Sequence, residues 1–200
     1  MTQHPVRHRP SSGRAALLFA QNFFRHPTML GSIVPSSRFL IRQLLRPVDW
    51  SRARVIVEYG PGVGVITAEV LKHMRPDAML IAIETNPDFV QLLRKHLPDP
   101  RLRIVQGSAE SVDTILKQQG ATGADYIISG IPFSTIPGAS RGSILRKTCQ
   151  ALAPGGAFLV YQFSPLVLSD LKRIFGRVRR AFEPRNVPPA HLFFCEPAPA

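Results

Sequence analysis

Val55-Ile56-Val57-Glu58-Tyr59-Gly60-Pro61-Gly62-Val63-Gly64-Val65-Ile66-Thr67 is the stretch that decides the fold. An apolar run that meets three glycines and then takes on a helical pattern is a strand turning into a helix. Glycines at such a turn let the backbone approach a ligand at the helix N-terminus. A dinucleotide fingerprint would need GxGxxG. Here the third glycine comes one place early, Pro61 fills the first gap, and Glu58 stands two residues ahead of the loop, where it would repel a pyrophosphate. The expected ligand therefore carries positive charge. Glu84 closes the next apolar run, Ile81-Ala82-Ile83-Glu84-Thr85-Asn86-Pro87, where a carboxylate accepts two hydrogen bonds from a ribose diol.

Outward from this loop, short apolar strands are expected near residues 55–58, 80–84, 103–106, 125–129 and 157–162. Helical stretches lie between them, near 65–74, 87–96, 111–118 and 140–152. Continuous apolar strands separated by helices require a parallel sheet covered on both faces. After a helix near 166–175, the segments 178–183 and 190–196 follow each other with a short link and must pair antiparallel. Two helical patterns precede the sheet. RAALLFAQNFFR, residues 14–25, gathers Phe19, Phe23 and Phe24 on an apolar arc flanked by Arg14 and Arg25. Residues 37–46 repeat Arg38, Arg42 and Arg46 opposite Leu40, Ile41, Leu44 and Leu45, with Pro35 and Ser36 as a start signal.

The chain has 200 residues, 44% of them hydrophobic, enough for a self-sufficient core and too apolar for a disordered chain. Only two cysteines occur, Cys149 and Cys195, with no CxxC pair, so neither a disulfide scaffold nor a metal site is expected. No apolar run is long enough to span a bilayer, and the polar, proline-interrupted start gives no leader signal; the expectation is a cytoplasmic protein. The net charge is +12. Residues 1–54 hold nine arginines against a single acid, Asp49, and Lys172 to Arg185 carry six positive residues against Glu183. Such an excess points to a polyanion or an anionic membrane surface.

The glycine loop with Glu58 and Glu84 resembles the class I S-adenosylmethionine-dependent methyltransferases, from about Val55 to Glu196. That resemblance implies a doubly wound, Rossmann-like α/β sheet of seven strands in the order 3-2-1-4-5-7-6, strand 7 antiparallel, preceded by amphipathic helices. It implies S-adenosylmethionine as cofactor, with Glu58, Gly60, Gly62 and Gly64 at its methionine end and Glu84 on its ribose. Gly107-Ser108-Ala109-Glu110 looks like the adenine station, where Ser108 or Glu110 would contact the adenine amine. After the fourth strand, Ser129-Gly130-Ile131-Pro132-Phe133 stands where amino-methylating members carry their catalytic element. Gly130-Ile131-Pro132-Phe133 is similar to the Asn-Leu-Pro-Tyr of ribosomal RNA adenine dimethylases, with glycine in place of the amide that receives a base amine. Those enzymes carry a substrate domain beyond the sheet, whereas this sequence ends with the sheet. Nucleic acid is therefore the second expectation.

Phe24-Arg25-His26-Pro27, Gly31-Ser32-Ile33-Val34-Pro35-Ser36-Ser37-Arg38-Phe39-Leu40 and Asn186-Val187-Pro188-Pro189-Ala190 carry a closer resemblance, to bacterial phospholipid N-methyltransferases of the short, rhizobial type. It implies methylation of the phosphatidylethanolamine amine toward phosphatidylcholine, at the inner face of the cytoplasmic membrane. Residues 1–50 are then membrane-contacting helices and a lid, and residues 51–200 the methyltransferase domain. An aromatic amphipathic helix flanked by arginines suits the headgroup region of an anionic bilayer. A lipid amine titrates near a lysine, so giving up its proton at neutral pH costs about 4 kcal/mol. Tyr161 and His191 are candidate proton acceptors, Arg185 a candidate phosphate ligand, and Pro35, Ser36 and Ser37 a candidate lid over the cofactor, with Ser36 and Ser37 also candidate substrate contacts. The alternatives are an RNA or protein N-methyltransferase and a non-catalytic membrane-binding protein with the same fold.

Overall fold

The computed structural model describes residues 36–198; the expected helix at 14–25, with Arg14, Phe19, Phe23, Phe24 and Arg25, lies outside the described residues. Within them the elements run α1 (Arg38–Leu45), β1 (Val55–Tyr59), α2 (Val65–His73), β2 (Met79–Glu84), α3 (Pro87–His96), β3 (Leu102–Gln106), α4 (Val112–Gln118), β4 (Ala124–Ser129), α5 (Gly138–Ala151), β5 (Leu152–Gln162), α6 (Leu168–Ile174), β6 (Arg177–Glu183) and β7 (Ala190–Glu196). The seven strands form one sheet in the order 3-2-1-4-5-7-6, and β7 runs antiparallel to both of its neighbours, as the resemblance implies.

Side chains alternate across a strand, so the sheet divides its apolar residues between two cores. Val57, Tyr59, Ile81, Ile127, Phe158, Val160 and Phe193 face α4, α5 and α6. Ile56, Leu80, Ala82, Ile128, Leu159, Tyr161 and Leu192 face α1 and α2. The central strands are buried on both sides because their sequences are apolar at every position, VIVEY and MLIAIE, except for the acids at or near their carboxyl ends. In α1 the expected division holds: Leu40, Ile41, Leu44 and Leu45 are buried, and the three arginines are exposed. Burying each of those side chains contributes about 2 kcal/mol.

Helix α5 begins at Gly138 and gives way at Ala151, so Leu152 opens β5 well before the apolar run that signals the strand. A Cβ on Gly156 would lie within 3.0 Å of three backbone oxygens, on Ala124, Asp125 and Ala153. The glycine lets β4 and β5 approach at a register shift, and pairing starts early. At the far edge, β6 exposes Arg177, Arg179 and Arg180, and charge along an unpaired edge discourages further strand addition.

Residues far apart in the chain are tied at the carboxyl end of the sheet. Asn186, almost fully buried, accepts from the Ser37 backbone N–H at 2.8 Å and donates to the Pro188 carbonyl at 2.8 Å. The start of α1 is thus tethered to the β6–β7 loop. Asn186→Ala leaves that N–H and that carbonyl unpaired, and an expected loss of about 2 kcal/mol in urea unfolding checks the tether.

Candidate active site

At the end of β1 the chain takes positive φ at Gly60 (65°), Gly62 (55°) and Gly64 (82°), a run closed to side-chain-bearing residues without strain. Two of these glycines are also places of close approach. A Cβ on Gly60 would come within 2.7 Å of Ile131, and one on Gly64 within 2.6 Å of Leu93. The loop is drawn against the second acid: the Gly62 N–H donates to Glu84 Oε2 at 3.1 Å, and the Asn86 N–H to Oε1 at 2.9 Å. Glu58 and Glu84 lie on the same face of the sheet as Ile56, Leu80 and Ala82, and both are buried. Thr67 Oγ1 donates to Glu58 Oε2 at 2.7 Å. Even so, burial first and the nearby Glu84 charge second push the Glu58 carboxyl up to about 7.

Ser108 spends its hydroxyl as a cap, accepting from the Glu110 N–H at 3.2 Å, and Ala109 packs into the core. Of the pair expected to meet an adenine amine, Glu110 therefore keeps the carboxylate without a hydrogen bond among the described residues, while its carbonyl is held by Lys147 Nζ at 2.7 Å.

The element after β4 is held by its backbone. Gln162 Oε1 accepts from the Phe133 N–H at 3.0 Å, and Gln162 Nε2 donates to the Ile131 carbonyl at 2.8 Å, so one amide clips both ends of Ile131-Pro132-Phe133. Arg141, paired with Asp170 at 2.7 Å, reaches the Phe133 and Ile136 carbonyls at 3.4 Å. Pro132 turns its carbonyl to Thr135. The Phe133 ring is fully buried, edge-on to Phe158 at 6.3 Å. Ser129 is fully buried, and its Oγ has no hydrogen-bond partner among the described residues. Gly130 lies against Tyr161, whose hydroxyl would stand 2.9 Å from a Cβ at that position. The room that an asparagine side chain would need is filled by a phenol.

Tyr161 is the expected substrate residue that the fold brings to the acids. Burial raises its pKa above the ordinary phenol value, the Ser36 hydroxyl bonded to it works the other way, and the Glu58 charge raises it further. At neutral pH it is a neutral phenol, a group that holds an amine and does not deprotonate it. His191 is a correction. It pairs with Gln162 in the ladder, stacks on Phe193 and lies across the sheet from Tyr161. Ser37 is a second correction, since its hydroxyl accepts from the Leu40 N–H at 3.2 Å and caps α1. Arg185 lies beside α1, over the Phe39 ring, with its guanidinium on Glu183 at 3.0 Å. Ser36, Arg38, Phe39 and Arg185 help line a cavity of about 1300 Å³ along α1. Gln162, Thr67 and Asn186 escape a sequence reading: each is one uncharged polar residue in an apolar or proline-rich setting, and only the fold shows what it holds.

Two buried carboxylates on one sheet face, one bearing a raised pKa, suit a ligand that brings a positive charge to Glu58 and hydroxyls to Glu84. The glycine cradle gives that ligand access to backbone. The residues present therefore fit S-adenosylmethionine, and among the described residues no group of His, Cys, Asp and Glu suits a metal.

The family model for ribosomal RNA adenine dimethylase matches residues 14–136. Ornithine lipid N-methyltransferase of Singulisphaera acidiphila is 38% identical over 180 residues, 89% of this chain and 94% of that protein. Ribosomal RNA small subunit methyltransferase A of Acidithiobacillus ferrooxidans is 29% identical over 121 residues, and the match spans only 40% of that enzyme's length. The structure of human methyltransferase-like protein 13 in complex with SAH superposes with a TM-score of 0.59 at 18% identity, covering 88% of this chain and 82% of that one.

The raised Glu58 carboxyl sets two pH dependences of known sign. The folded protein holds this proton more tightly than the unfolded chain, so stability without ligand falls as pH rises from about 4.5 to about 7 and is level above. A cationic ligand needs the carboxylate, so S-adenosylmethionine affinity weakens by up to about tenfold per unit below pH 7. Calorimetric titration between pH 5.5 and 8.5 checks this, and Glu58→Gln flattens the profile at the weak limit.

Proposed function

This chain belongs to the ribosomal RNA adenine dimethylase family and is a class I S-adenosylmethionine-dependent methyltransferase, and from that premise we propose that its methyl acceptor is the primary amine of a membrane-lipid headgroup. The sequence resemblance favours phosphatidylethanolamine, on the way to phosphatidylcholine, and the name of the Singulisphaera relative favours ornithine lipid. Both offer an aliphatic amine a few bonds from an acidic group.

The observation that carries this reading is the distribution of exposed apolar side chains. Among the described residues the large ones are Val65, Leu166, Phe182 and Val187, exposed by 36, 70, 50 and 76%. All four stand at the carboxyl end of the sheet: Val65 opens α2 after the glycine loop, Leu166 follows β5, Phe182 ends β6 and Val187 lies in the loop after it. An apolar rim around a reaction site, on a strongly basic chain, matches an anionic lipid surface better than a polar nucleic-acid one.

Bound S-adenosylmethionine supplies an electrophilic methyl group. The chain's own residues do the rest. Glu58 and Glu84 fix the cationic and hydroxyl ends of the cofactor, and Gln162 and Arg141 hold the Gly130–Phe133 backbone beside it. Tyr161, against Gly130 and near the Ser36 hydroxyl, accepts one N–H of the incoming amine. Alignment of this kind is the main source of rate for an in-line displacement. A flat adenine enters the dimethylases of this family past an asparagine at the first position of the element; with Tyr161 filling that space, a slender aliphatic amine is the better fit.

Labelled S-adenosylmethionine offered in parallel with phosphatidylethanolamine vesicles, ornithine-lipid vesicles and total RNA tests the acceptor. Label in a lipid phase is expected, and label in RNA alone would sink the reading. Tyr161→Phe lowers turnover on lipid roughly tenfold with S-adenosylmethionine affinity unchanged, the loss of one well-placed hydrogen bond. Serine at positions 166, 182 and 187 together lowers vesicle sedimentation at least tenfold, each apolar side chain contributing on the order of 1 kcal/mol to interfacial binding.

A further inference from the structure

We propose that Arg38 and Arg185, gathered on the ring of Phe39, form an anion subsite that receives the acidic group, phosphate or carboxylate, of the headgroup whose amine is methylated. The proposal rests on the lipid-amine reading above. The Arg38 guanidinium carbon lies 4.8 Å from the Phe39 ring centroid and that of Arg185 4.1 Å from the same centroid. A ring face attracts each cation, yet two cations on one ring repel each other. An anion shared between them removes that repulsion and gains two charge-assisted contacts.

Glu183 balances one of the two charges, and the other is left over. Among the described residues no acid is paired with Arg38, and Glu183 takes the Nε and Nη2 of Arg185. The Glu183 contact, reinforced by the Arg185 backbone N–H on the same oxygen at 3.0 Å, fixes the direction of the side chain and does not cover the pair. The two arginines come from opposite ends of the described chain but are held as one unit. Ser37, next to Arg38, donates its N–H to Asn186, next to Arg185. One residue earlier, the Ser36 hydroxyl is close enough to the Tyr161 phenol to act on its charge. Ser36, Ser37, Arg38 and Phe39 thus run as consecutive residues from the amine position to the anion position, and the cavity of about 1300 Å³ lined by Ser36, Arg38, Phe39 and Arg185 leaves room for a headgroup. An amine lacking a nearby acid would meet only half of this arrangement.

The experiment uses the whole chain and soluble headgroup fragments, with binding read calorimetrically at constant ionic strength in the presence of S-adenosylhomocysteine, which has no methyl group to transfer. O-phosphoethanolamine carries the phosphate, Nα-acetylornithine the carboxylate, and ethanolamine neither. At least one acidic fragment is expected to bind about tenfold tighter than ethanolamine, in keeping with a charge-assisted pair. Arg38→Gln and Arg185→Gln each abolish that preference, and Arg38→Lys restores part of it. Unchanged S-adenosylmethionine affinity in each variant shows that the fold is intact. The stronger of the two acidic fragments identifies the headgroup. No preference in the unsubstituted protein, or a preference that survives Arg38→Gln, overturns the subsite. Because binding is read without turnover, an arginine-dependent preference in a protein that methylates neither lipid upholds the subsite and removes the lipid reading. Lipid methylation without any preference does the reverse.

Discussion

Two acids buried on one face of one sheet end are the constraint around which the rest is arranged. Water stabilises a carboxylate far better than a protein interior does, so Glu58 and Glu84 stand where they do only because compensation is close. Glu84 receives two backbone N–H groups and Glu58 a threonine hydroxyl, yet Glu58 remains raised to about 7. Glu58 is thus a carboxyl whose burial outweighs the one hydroxyl that supports its charge. The three positive-φ glycines, the contact of Gly60 with Ile131 and the contact of Gly64 with Leu93 follow from bringing backbone this near to both acids.

The acceptor side is organised by the same face. Gly130 follows the last residue of β4 beside Tyr161 of β5, and the absence of a side chain on one makes room for the ring of the other. Within a family whose model is described for adenine dimethylation, this exchange changes the shape of the acceptor entrance while leaving the cofactor end intact. Gln162 shows how little of the element depends on its own side chains. It grips the peptide groups at Ile131 and Phe133, so the backbone path is fixed whichever acceptor is used.

The fold was legible because the relevant signals are local and repetitive. The apolar runs of β1 and β2, the glycine loop and the two closely spaced final strands allow few arrangements, and the strand order follows from the superfamily resemblance. The cofactor end was legible for a related reason: Glu58 and Glu84 are acids at or near the ends of apolar strands, where an ionisable group has few structural explanations. The acceptor side was harder to read. His191 and Tyr161 have the same character in the sequence, and only the β5–β7 register decides that one faces the site and the other the opposite core. Phe133 resembles a stacking residue by its motif and is a core residue by its packing. Ser37 resembles a lid residue and is a helix cap. The early start of β5 was hidden because Pro154, Gly155 and Gly156 do not look like strand residues.

The Asn186 tether also fixes an order of events in biosynthesis. The start of α1 opens the described chain, but its anchor is in the β6–β7 loop, 149 residues later. A contact of that sequence separation forms late, because the intervening chain must be ordered first. As the polypeptide emerges, strands β1 to β4, the glycine loop and the core that α1 packs into precede the loop that carries Asn186. The nascent protein thus has its glycine loop before its Asn186 tether, and β7, inserted between β5 and β6, closes the sheet.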